Sequence, residues 1–260
     1  MSQLGAQIHP SAIVSESAVI GPDVFIGPFA TIEGNVTLGE GCIIKPYAHL
    51  CGTLTLGVRN QVYSGAVLGE RPQHLQYKDE PTSLEIGDEN IFGEQVTVHR
   101  GTSHSQKTVI GNRNVFMANS HVGHDCCVGD HCHLDGNALL GGHCVVEDHV
   151  HLSGNVAVHQ FVRLGRLAFV SISSVMTKDL PPFAVGQDVN AIGGVNSEGM
   201  RLAGHTQADI DAIHRAFEIL YKQNNTLRVA LAQIEIELGE SAVTQELVRF
   251  FRNSKRGVIM

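Results

Sequence analysis

The chain has 260 residues, 43% of them hydrophobic, and its 18 basic and 26 acidic side chains give a formal net charge of −8. That suffices for a sizeable core, while the acidic balance and a single short basic cluster at Lys255 and Arg256 argue against a nucleic-acid footprint. No apolar run reaches the roughly 18 residues of a membrane span, the start has no signal-peptide character, and six cysteines lack CxxC pairs, so a cytoplasmic protein with reduced thiols is expected.

From Ile8 onward a large aliphatic residue recurs at every sixth position: Val14, Ile20, Ile26, Ile32, Leu38, Ile44, Leu50, Leu56, Val62 and Leu68. The pattern resumes at Ile86, Phe92 and Val98, and again from Ile110 to Met176. In a helix a six-residue repeat advances about 600°, roughly 120° away from its own face, so no stripe would form. The period excludes a helix. The slot four residues after each repeat position is small or apolar, as at Ala12, Ala18, Val24 and Ala30. Each short strand therefore has two inward positions, and coils this small must stack to share one core. Cys42, Cys126, Cys132 and Cys144 occupy that inner slot, where a thiol acts as a small buried apolar group.

Two polar segments interrupt the repeat, at 70–85 and 101–108. They are expected to project as loops, where binding residues gather on a rigid scaffold. The period ends after Lys178, with Pro181-Pro182 as punctuation, and from Ser197 the spacing turns helical. Thr206 and Asp209 form a capping-box pattern ahead of Ile210, Ile213, Phe217 and Leu220, and further helices are expected over 226–239 and 241–253. The division is thus a β-solenoid over 1–196 and a helical unit over 197–260.

Fifteen histidines are concentrated near 121–159. His131, His133, His149 and His151 are read as ordinary solvated side chains. If three hexads make one coil, the strands at Val122, Leu140 and Val158 stack on one face, and His124, His143 and His159 would line one groove across three coils. Asp125 follows His124 and could orient its ring, as a general base requires. Three imidazoles in a column also suit zinc, and spacing alone does not choose between these chemistries.

The motifs IHPSAIV, VTVHRGT, NSHVGHDCCVG, VAVHQF, DLPPFAVG, GVNSEGM and SKRGV together resemble the UDP-N-acetylglucosamine acyltransferases of lipid A biosynthesis, the LpxA family, over nearly the whole chain. The repeat alone would also fit an acetyl-CoA-dependent sugar acetyltransferase or a carbonic-anhydrase-like zinc enzyme. The resemblance implies a left-handed parallel β-helix with a C-terminal α-helical domain, working as a homotrimer with its sites between neighbouring prisms. The implied reaction carries a fatty acyl group from acyl carrier protein to the 3-position of a UDP-amino sugar. It implies no metal and no soluble cofactor, since the phosphopantetheine arrives on the donor protein. His124 would be the base, Asp125 its orienting partner and Gly142 N–H the oxyanion donor. His121, His143, His159 and Gln160 would contact the acceptor, and Asn196, Glu198 and Arg201 would lie near the nucleotide. Where the family has an aspartate and a lysine in the first loop, this chain has His74 and Gln76. A family arginine falls at Leu202, and the pair following DLPP reads Gln187-Asp188. The glycine that accommodates the acyl tail falls at Ile172, so shorter chains are expected.

Overall fold

The computed structural model describes residues 5–260. Strands mostly two to four residues long are assembled into three sheets of eleven, nine and eight strands, and nearly every pairing is parallel. Successive partners lie eighteen residues apart, as in His121↔Leu139 and Leu139↔Ala157, so three hexads make one coil of a left-handed triangular prism. Across the first insertion the step becomes thirty residues (Leu68↔Val98), and across the second twenty-four (Val98↔Val122). Both insertions keep the hexad phase, which is why the aliphatic positions stay inward on either side.

The repeat residues from Ile26 to Met176 fill the prism axis, nearly all with no solvent exposure. The inner slot is not purely apolar. In one column Cys42 is followed by Asn60, Asn90 and Asn114, all buried, and then Cys132. Asn60 Oδ1 accepts from Asn90 N, Asn90 Oδ1 accepts from Asn114 N, and Asn114 Oδ1 accepts from Cys132 N. This ladder meets the hydrogen-bonding needs of corner backbone that no strand pairing satisfies.

The corners recur every six residues in the left-handed backbone region, with φ of 61° at Asp125, 57° at His131, 61° at Asn137 and 62° at His143. Such a conformation is unfavourable for a non-glycine residue, and stacking of the coils holds it in place. Its consequence is functional: it throws Asp125 and His143 outward onto one edge of the prism.

The sheet pattern continues past Lys178. Ala184–Gln187 joins the eleven-stranded sheet in parallel and then pairs antiparallel with Ala191–Val195. The helices are α1 (Ser197–Leu202), α2 (Gln207–Tyr221), α3 (Leu227–Leu238) and α4 (Ala242–Asn253), with the expected Thr206–Asp209 capping box on α2. Arg166 ties α4 to the prism through both carboxylate oxygens of Glu246, and the Arg163 guanidinium lies 4.5 Å from the Phe250 ring centre. Among the described residues no helix is long and apolar enough to cross a membrane.

Candidate active site

His124 and Asp125 occupy the corner between the nine- and eight-stranded sheets, and both are buried. His124 Nδ1 lies 2.7 Å from Asp125 Oδ2. The carboxylate thus selects the Nδ1–H tautomer, leaving the Nε2 lone pair free to take a proton. Asp125 is held by the second insertion folding back. Thr102 donates through N (2.9 Å) and Oγ1 (2.8 Å), and Ser105 donates through N (3.2 Å) and Oγ. Burial pushes the Asp125 carboxyl upward, but bonds from His124, Ser105 and Thr102 outweigh it and hold the group well below the usual carboxylate range.

His143 is the residue one coil on at the same corner, eighteen positions later, and its Nε2 lies 3.6 Å from the same Asp125 oxygen. Its ring stands edge-on to His124 at 5.0 Å and stacks flat on Phe161 at 4.3 Å. His104, from the second insertion, meets His143 edge-on at 4.8 Å, and His74, from the first, meets His124 at 5.4 Å. Burial lowers the His143 pKa, while Asp125 opposes the shift. His121 is brought down to about 4 by burial and then by His99 and His124, so it is neutral at physiological pH. Its Nδ1 is 2.8 Å from Thr97 Oγ1.

Gly142 lies against the face of the His124 ring. A Cβ placed there would come within 2.6 Å of Cε1 and 2.8 Å of Nε2, so only glycine fits. Among the described residues its N–H has no protein acceptor.

The groove expected from sequence is partly redrawn. The histidine column runs from Asp125 through His143 to Phe161, because corner residues repeat at eighteen. His159 falls in a different column, is exposed, and receives a 2.9 Å contact at Nδ1 from Arg256. Gln160 is exposed beside it, and Gln76 is exposed on the first insertion. Asn196 caps α1, accepting from Gly199 N and donating to Leu167 O, and Glu198 pairs with Arg201. These last three line a separate cavity of about 800 Å³ against the eleven-stranded sheet. Ile172 is 67% exposed at a third corner, with its Cδ1 4.0 Å from where a Cβ on Gly154 would lie. Reading the sequence missed His99, Thr102, His104, Ser105 and Phe161. Only the interruption at 101–108 signalled three of them.

The family described as "Udp N-acetylglucosamine O-acyltransferase; Domain 2" matches residues 179–259, and bacterial transferase hexapeptide repeats match 17–52 and 107–142. A Thiobacillus denitrificans acyl-(acyl-carrier-protein) UDP-N-acetylglucosamine O-acyltransferase is 43% identical over 257 residues, spanning 98% of this chain and 99% of its own. The chain belongs to the UDP-N-acetylglucosamine O-acyltransferase family. A second member, from Halorhodospira halophila, is 44% identical over 255 residues, spanning 97% of this chain and 99% of its own. The solved Acinetobacter baumannii LpxA superposes with a TM-score of 0.94 at 35% identity, covering 97% of this chain and 99% of the other. The Francisella novicida UDP-N-acetylglucosamine acyltransferase gives 0.94 at 34% identity over 97% and 94%. Membership in this acyltransferase family removes the carbonic-anhydrase reading of the fold.

Proposed function

We propose that the chain transfers a fatty acyl group, such as a 3-hydroxyacyl group, from acyl carrier protein to the 3-position of UDP-N-acetylglucosamine or its 3-amino analogue, in lipid A biosynthesis. The observation that carries the reading is the His124–Asp125 pair at 2.7 Å with Gly142, whose N–H has no acceptor among the described residues, packed against its ring. His124 Nε2 removes the proton from the acceptor's 3-substituent as that atom attacks the thioester carbonyl. The oxyanion that forms is met by Gly142 N–H. Collapse breaks the carbon–sulfur bond, and the proton on His124 passes to the departing phosphopantetheine thiolate. Asp125, already ionised, stabilises the transient imidazolium.

His121, His143 and His74 border this corner and, with Gln76 on the same insertion as His74, are assigned to acceptor contacts, as are His159 and Gln160. Asn196, Glu198 and Arg201 are assigned to the nucleotide. They sit on a different face of the same chain, so a complete site needs a second copy. That separation supports a homotrimer with sites between prisms. A prism over 1–196, a helical unit over 197–260 and a cytoplasmic location complete the reading, and the start of α1 at Ser197 supports the boundary. The reading requires no cofactor beyond the phosphopantetheine on the donor.

Purified protein incubated with a panel of acyl carrier proteins and UDP-sugars, analysed by mass spectrometry, tests it. Acyl-UDP-amino sugar should appear with acyl carrier protein donors and not with acetyl-CoA. Transfer from acetyl-CoA alone would overturn it.

A further inference from the structure

His133 and His151 are neighbours in the eleven-stranded sheet, paired in register. Their rings stack 4.8 Å apart at 13°, the strand spacing itself. Sequence suggested freely solvated side chains, but both are half-buried, and His133 Nε2 is buried without a hydrogen-bond partner. Asp135 lies between them: Oδ1 is 3.3 Å from His133 Nε2, outside hydrogen-bonding geometry, and Oδ2 is 3.2 Å from His151 Nε2. Burial, then His151, lowers the His133 pKa, so its ring keeps a lone pair near neutrality.

We propose that His133, Asp135 and His151 form a binding site for one divalent transition-metal ion of the zinc class. Four-coordinate zinc with bonds of about 2.0–2.1 Å places neighbouring ligand atoms roughly 3.3 Å apart. Each imidazole nitrogen already stands about that far from one Asp135 oxygen, His133 from Oδ1 and His151 from Oδ2, and a rotation of the carboxylate presents a single oxygen to both. The third edge, between the imidazole nitrogens, is within 4.8 Å and closes by a tilt of the two rings. Two imidazoles and one carboxylate select a transition ion over magnesium or calcium, which prefer an all-oxygen shell. A three-ligand set leaves a fourth position open to the cavity of about 800 Å³ that both histidines line.

Two other triads have the spacing and lack the chemistry. In His124–Asp125–His143 the carboxylate is already occupied by Thr102, Ser105 and His124. In His49–Cys51–Glu70 burial and the neighbouring Glu70 push the Cys51 thiol to about 12, so it stays protonated. Asp135 accepts a side-chain hydrogen bond from His151 alone among the described residues.

The test is calorimetric titration of the metal-stripped, full-length protein with zinc, paralleled by cobalt and its visible absorption. One ion per chain should bind. His133→Ala and His151→Ala should each weaken binding at least about 100-fold, and Asp135→Asn about 10- to 100-fold. His131→Ala, a neighbouring cavity histidine, and His143→Ala should leave it unchanged, with circular dichroism establishing that each variant is folded. Absence of saturable binding at micromolar metal overturns the proposal. So does binding that survives both histidine-ligand substitutions, or that His143→Ala abolishes.

Discussion

Asp125 Oδ2 stands 2.7 Å from His124 Nδ1, with four further donor contacts from Thr102 and Ser105 on that carboxylate. The pair is therefore rigid and of one tautomer before any substrate arrives. Removing the base by His124→Ala should lower kcat by roughly 10²- to 10⁴-fold without unfolding the protein. Asp125→Asn should cost less, since an amide still orients the ring but no longer stabilises its charge. Steady-state kinetics on folded variants decide this, and near-full activity in His124→Ala would remove it from the chemistry.

The donors behind Asp125 make a second expectation. Thr102→Val and Ser105→Ala each delete side-chain bonds that disperse the Asp125 charge, so the carboxylate should hold a protonated His124 more strongly and the acidic limb of the kcat–pH profile should move upward. KM for the acceptor should change little. A lower rate with an unmoved profile would mean that the loop is only structural.

Stability should depend on pH in a readable direction. The folded pKa of His121 is lowered to about 4, against about 6.5 unfolded. The unfolded chain therefore binds more protons between those values, and stability is full above 6.5 and lost as pH falls toward 4. The loss from this residue is on the order of 3 kcal/mol at most. Asp125 adds a separate loss at lower pH, because a depressed carboxyl favours the fold above about 3.9 and ceases to do so as pH drops through its folded value. Thermal melts from pH 7.5 to 4 should fall monotonically, and His121→Asn should flatten the segment between 6.5 and 4. An unchanged slope in that variant would exclude His121 as the source.

Ile172 projects from its corner beside Gly154 rather than into the core. If the acyl tail runs along this corner, the side chain occupies space worth about 0.8 kcal/mol per methylene. Forcing a long tail past it would cost roughly 1–3 kcal/mol. Donors too long for the groove should be disfavoured by about one to two orders of magnitude, and Ile172→Gly should shift the preference toward longer chains. Competition among acyl carrier proteins of graded chain length measures it. An identical profile in the variant places the length determinant elsewhere.

The prism was legible in the sequence because its core is a one-dimensional lattice. Each aliphatic at a repeat position, from Ile26 to Met176, meets only its own coil and the coils above and below, so local spacing determines both burial and pairing. The capping box at Thr206 and Asp209 marked α2 for the same reason: its partners are three residues apart. The pairing of His124 with Asp125 was readable from adjacency and the coil length. The second half of the site was not. That Phe161 rather than His159 continues the His143 column depends on which residue of each corner adopts positive φ. That Thr102 and Ser105 hold Asp125 depends on a polar loop returning across some twenty residues, with no period to register it. Nor does the spelling of His133, Asp135 and His151 distinguish solvated histidines from a stacked pair around a carboxylate. Coil-to-coil contacts are written in sequence spacing; side-chain direction at corners and the return path of loops are decided only when the whole prism has closed.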